Sequence, residues 1–400
     1  MEQILNPPRR SALTLTALAY LPAVLVMMTI GVIVPFLDTL SRDLATQPAQ
    51  LGLAIALFSV PSAILATMGG GLIDTYGVRR SMLFAAGTAA LGSLLASQAH
   101  SVLALDAWML VAGLGFGAMC VASPCLIMAT LSDGVRIRAM SFVSTFAPTG
   151  FAAGLLLAVP FAERGSWRLA LFAHAVLMAL AFVVLLLCVP DVRSVNRQTP
   201  ESPRQRIGRM LSIFREPRAL RLAIAVALPN AVSYGTSLAA PSYLARVHHL
   251  TIATSSASVA LAKLTAMIIG GLGMGYLLSR AVGPWLLFAV MAIIGVLAQS
   301  ALFLPVGGGI ALATIALVVW LFAFGGMAGG AMTLLPAVAR DPARNGAASG
   351  LVNQFISLAS FAAPSTWLSL HDGLQYVLLA SGCLLISLIA LPAARSTRAV

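Results

Sequence analysis

The stretch from Gly69 to Leu83 reads GGGLIDTYGVRRSML. One apolar run ends in it and another begins, with Asp74, Gly77, Arg79 and Arg80 gathered at the junction. So short a polar junction leaves room for a tight turn and nothing larger. The runs on either side, 50–70 and 81–98, come close to the about 20 residues a helix needs to cross roughly 30 Å of hydrocarbon. A second junction, GYLLSRAVGPWLL from Gly275 to Leu287, lies 206 residues downstream. At that offset Gly69 falls on Gly275, Asp74 on Arg280 and Gly77 on Gly283. The chain reads as helical, membrane-spanning and duplicated.

The rest of the sequence has the same texture. Apolar runs of spanning length lie at 12–37, 50–70, 81–98, 103–131, 139–161 and 166–189, and again at 219–245, 252–279, 283–304, 309–339, 345–369 and 373–393. The 400 residues are 60% hydrophobic and 9% charged, where a soluble domain carries roughly 25% charged residues. Little chain remains outside the runs, which excludes a large soluble domain. The fourth and tenth runs share a glycine-rich centre, GLGFGAM from Gly113 and GGMAGGAM from Gly325. The expected fold is all-α: twelve transmembrane helices in two pseudo-symmetric six-helix bundles, residues 1–189 and 219–400. A cytoplasmic basic linker joins them at 190–218.

A net charge of +12 can signal nucleic-acid binding. Here the basic residues sit in short segments between apolar runs, which points to membrane topology and not to nucleic acid. Nineteen of the 24 Lys and Arg residues fall in segments on the N-terminal side of the membrane, and four (Arg42, Arg164, Arg168, Arg246) on the other. That bias puts both termini in the cytoplasm of an inner or plasma membrane. No cleavable signal peptide is expected, because the first run is too long and no cleavage site follows it. The four cysteines, Cys120, Cys125, Cys188 and Cys383, lie inside apolar runs without metal-ligand spacing and read as packing residues.

The junction Gly70, Asp74, Gly77, Arg79, Arg80 resembles the signature that the major facilitator superfamily carries after its second span. Six-plus-six layout, basic central loop and length extend the resemblance over the whole chain. Gly165-Ser166-Trp167-Arg168 is similar to a segment of drug-exporting members. The resemblance implies alternating access between two lobes, with Gly70, Asp74, Gly77, Arg79 and Arg80 in gating and Asp74 capping the eleventh span. It places the third, sixth, ninth and twelfth spans outside. Where many drug/proton antiporters have an arginine in the fourth span, this chain has Met109 or Val111. Their Gly-Pro motif of the fifth span appears as Ala147-Pro148-Thr149-Gly150.

Lys263 is the only lysine. It stands 11 residues into the eighth run, about 16 Å from the nearer end at about 1.5 Å per residue. An ammonium unpaired at that depth costs several kcal/mol in lipid. It must face a wet cavity, bind an anion, be held by helix carbonyls, or lose its proton. No acidic residue is comparably deep; Asp38 and Asp106 come closest, and with Lys263 they are the candidates for coupling. Polar residues at helical spacing supply further candidates for solute contact: Asn230, Tyr234 and Ser237 ahead of Pro241, Asn353, Ser357 and Ser360 ahead of Pro364, Ser141 and Thr145 ahead of Pro148, and Tyr20 with Thr29 in the first run. Helix–helix hydrogen bonding is the competing reading for each. His174 offers a proton relay or plain packing. Small-xxx-small pairs such as Gly113/Gly117, Gly150/Gly154 and Gly271/Gly275 are expected as a set at moving interfaces.

No Walker loop, HExxH or nucleophile elbow is present in the sequence. The expectation is a secondary transporter and not an enzyme, with no cofactor and no metal. Its partners would be a small-molecule substrate, a proton or counter-ion, and the lipid bilayer, and it would act as a monomer. One reading is export of a drug-like compound or metabolite in exchange for protons. The other, resting on Lys263 and the lack of deep carboxylates, is symport or exchange of an organic anion. A non-transporting receptor on the same fold fits the short tails poorly.

Overall fold

The computed structural model describes residues 11–143, 145–190, 216–280, 283–304, 308–334 and 345–391; of the expected linker, 191–215 lie outside the described residues. All long elements among the described residues are helices. Nine of them are long and apolar enough to cross a membrane. Val78–Ala96, Phe146–Ala162 and Asn345–Leu368 fill the third, fifth and eleventh places in the order.

Local chemistry sets the helix starts. Ser11, Ser101 and Thr251 accept hydrogen bonds from backbone N–H groups three residues on, and so cap the first, fourth and eighth spans. Gln47 and Asp372 form capping boxes with Gln50 and Gln375. Pro48, Pro217 and Pro284 occupy the first helical position of their helices, where no N–H is needed. At the junction read first, Gly77 has φ +83° and its N–H bonds the Ile73 carbonyl, so a residue free to adopt positive φ ends Pro48–Tyr76 and starts Val78–Ala96.

Three boundaries differ from the sequence reading. The first span continues through a 3-10 turn at Val34–Phe36 to Asp43. The third begins at Val78, not 81, directly after Gly77, with Arg79 and Arg80 inside its first turn. The fifth is two helices, Asp133–Val143 and Phe146–Ala162. The break falls just ahead of Pro148, which cannot bond the carbonyl four residues back.

Spans one to six pack among themselves and so do seven to twelve, in matching pairs: two with four and eight with ten, one with five and seven with eleven, three with six and nine with twelve. The sets meet mainly where span two packs on eleven and span five on eight, two contacts exchanged by the same six-span shift. At the end bearing Asp43 and Val247 the lobes share one hydrophobic core, which joins Ile30 through Phe58 to Leu238 through Val259. At the end bearing Ala12 and Thr130, the first lobe has a separate cluster of its own, including Leu18, Met119 and Leu126. Among the described residues the lobes are therefore packed together at the first end, while at the second the first lobe keeps a cluster apart.

The glycine pairs correct an expectation. A Cβ at Gly113 would strike the Phe58 carbonyl, one at Gly150 would come within 2.5 Å of the Val24 carbonyl, and one at Gly325 would strike the Met267 carbonyl. These approaches lie within lobes. They lock helices together and do not line the moving interface. Among the described residues, the close glycine contact between lobes is Gly52, whose Cβ would stand 2.6 Å from Ser365 Cα.

Candidate functional site

Between the lobes lies a cavity of ≈ 680 Å³, within the range of about 300–1,000 Å³ usual for organic ligands. The first, second, fourth and fifth spans line it from one lobe, and the seventh, eighth, tenth and eleventh from the other. Its lining reaches Cys125 and the exposed Met128, close to the end of Val102–Thr130, so it opens where the lobes part.

Lys263 is at its wall, 6% exposed. The ammonium donates to Ser237 Oγ at 2.7 Å, and Ser237 donates in turn to the Ser233 carbonyl at 2.6 Å. It also lies 4.3 Å from the centre of the Phe151 ring, which belongs to the other lobe. Lipid is not its environment. A hydroxyl and an aromatic face compensate part of the cost of burying the charge, and no carboxylate is among the described lining residues.

The other candidates divide. Asn230, Tyr234, Asn353 and Ser357 line the cavity with Lys263, as does Ser360, which accepts from Asn230 Nδ2 at 3.1 Å. Tyr234 and Ser59 face the cavity from opposite lobes. Ser237 stands behind Lys263, 1% exposed. Tyr20 is not among the lining residues: its hydroxyl donates to Thr149 at 2.9 Å and pairs with Thr145 at 3.2 Å, tying the first span to the fifth. Asp38 lies in a polar recess of ≈ 870 Å³ at the sealed end, with Arg42, Arg164 and Arg246. Asp106 lies in the second turn of the fourth span, away from the cavity lining.

His174 is fully buried. Its Nε2–H donates to the Leu25 carbonyl at 2.8 Å, so Nδ1 is left to accept from Ser93 at 2.9 Å. Both nitrogens are used, which makes the ring a tie between the third, sixth and first spans. At the first junction Arg79 donates to the Leu186 carbonyl at 2.6 Å and ties the third span to the end of the sixth. Arg80 is exposed beside an apolar recess with Tyr76 and Phe84. The side chains of Asp74 and Ser141, with position 70, lie outside the description.

Sequence reasoning missed the aromatic wall. Phe58 and Phe116 stack with centroids 4.9 Å apart, and Phe146 follows Phe116 at 6.4 Å. It also missed Cys120 and Cys125, which line the cavity. The signal was faint but present: Phe116, Cys120 and Pro124 recur every four residues, one stripe of a helix.

Comparison with known proteins agrees with this geometry. The sequence model described as Major Facilitator Superfamily matches residues 19–364. Among curated protein sequences none matches. The nucleoside transporter NupG superposes with a TM-score of 0.76 at 13% identity, covering 96% of this chain and 99% of that one. The inward-open xylose transporter XylE from E. coli gives 0.74 at 16%, covering 97% and 98%. A bacterial homologue of the human lysosomal transporter Spinster, inward-facing and unoccupied, gives 0.73 at 14%, covering 96% and 95%. At these identities the solved structures speak for the fold.

Proposed function

The chain belongs to the major facilitator superfamily, and we propose that it carries a small organic anion across the membrane by alternating access, with Lys263 holding the anionic group. The observation that carries this reading is one ammonium at the wall of the cavity between the lobes, with no carboxylate among the described lining residues. A cation-binding carrier would be expected to offer the opposite sign. A carboxylate on the solute would complete the pairing that Ser237 and Phe151 supply in part. Lys263 and Phe151 belong to opposite lobes, so an anion that engages the ammonium also acts on the contact between them.

The basic bias supports a cytoplasmic position for the open end; on that reading this is the inward-facing state of an inner-membrane carrier. Exchange against protons or a second anion supplies the driving gradient. Proton-coupled export of a drug-like compound is the second reading; the aromatic and methionine side chains of the cavity, Met27, Met128 and Met267 among them, favour it. Protein reconstituted in vesicles separates the two. Uptake of labelled organic anions that disappears in Lys263→Ala supports the first. Movement of cationic dyes that follows the pH gradient and is indifferent to Lys263→Ala replaces it with the second.

A further inference from the structure

We infer that the solute is an aromatic acid with a single carboxylate, its charge on Lys263 and its ring against Phe116 and Phe146, behind which Phe58 is packed. This rests on the anion reading above and narrows it. Charge comes first. The described lining holds one cation, so one carboxylate leaves the site neutral, whereas a second would be buried without a partner.

The body of the solute follows from the wall. Phe58 and Phe116 are stacked at 26° between planes, and Phe146 is tilted 48° to Phe116. Phe116 and Phe146 are half-buried and line the cavity, so their rings have surface left to offer. A ring placed against them gains offset or edge-to-face contacts that a saturated body of equal area does not. Phe151 is already engaged by the ammonium, and the Tyr234 ring stands 6.4 Å from it, edge-on. Lys263, Phe151 and Tyr234 line the same chamber as Phe116 and Phe146. Ser233 and Asn353, on the seventh and eleventh spans, complete it with polar groups suited to orienting a carboxylate or a ring substituent.

Isothermal titration of the purified full-length protein tests this with four compounds of similar size: naphthoate, its saturated counterpart decalin carboxylate, the neutral naphthamide, and naphthalene dicarboxylate. Naphthoate is expected to bind at least about tenfold more tightly than naphthamide and the dianion, and about fivefold more tightly than decalin carboxylate. Phe116→Leu should erase the second preference and keep the first, a split that general misfolding would not produce. Equal binding of naphthoate and decalin carboxylate overturns the aromatic inference and leaves the anion reading standing. Naphthamide binding as well as naphthoate, with Lys263→Gln unchanged, overturns both. No binding of naphthoate in unmodified protein overturns the inference outright.

Discussion

Two buried nitrogen-bearing side chains, similar as sequence features, differ in what surrounds them. His174 has both ring nitrogens occupied by partners of its own lobe, whereas Lys263 has three N–H donors and one hydrogen-bond acceptor among the described contacts. The first is finished; the second has capacity left for a ligand. Lys263→Ala should therefore weaken anion binding by about 10–100-fold, the worth of a hydrogen bond to a charged group at about 1.5–3 kcal/mol, with little change in melting temperature. Titration and a thermal melt of the same variant check it. His174→Phe should do the reverse: it strands Ser93 and the Leu25 carbonyl at a cost of about 1–3 kcal/mol, lowers the melting temperature and leaves solute affinity intact. Lys263 was legible because one cation in an apolar helix is conspicuous. The ring of Phe151 above it was not, since a phenylalanine among leucines carries no mark of what it faces.

Helices show the same division between what contrast reveals and what it hides. The spans, their caps and the turn at Gly77 could be read because apolar length, Ser, Thr and Pro at helix starts and a glycine between two runs each have a local cause. Which face of a span looks at the cavity could be read only where polar residues recur, as at Asn230 and Tyr234 or Asn353 and Ser357; the spans apolar all round give no amphipathic signal. The small-residue pairs misled for a related reason. A glycine reports that a backbone comes close, not whether that backbone moves with it. Gly113 meets Phe58 of its own lobe, and Gly52 meets Pro364 and Ser365 of the other. Gly113→Leu should thus destabilise the protein outright, seen as lost yield and a lower melting temperature. Gly52→Leu should spare the lobes and part them at the sealed end. A Ser242→Cys reporter in the recess there would then react several-fold faster with an impermeant maleimide than it does with Gly52 in place. Equal rates would mean that this approach does not hold the end shut.

Across the whole molecule, the paired contacts of spans two with eleven and five with eight rest one lobe on the other along two lines. The duplication was visible in the sequence as one repeated junction. The sealed and open ends were not, because they depend on how far the lobes are rocked, which no local pattern encodes. Cys120 and Cys125 turn that state into a measurement. Both line the cavity, Cys125 near its mouth and Cys120 deeper, while Cys188 closes the sixth span and Cys383 lies in the twelfth, neither lining the cavity. In a Cys188→Ala, Cys383→Ala background, the remaining thiols face whichever solution the cavity opens to. On the orientation proposed from the basic residues, that solution is the cytoplasm. An impermeant maleimide should label inside-out vesicles readily and right-side-out vesicles slowly, at a rate set by how often the lobes rock over. Naphthoate held between the lobes should slow labelling from the inside, since it fills the path to both thiols. Fast labelling confined to right-side-out vesicles would reverse the topology and, with it, the direction in which the lobes are parted here.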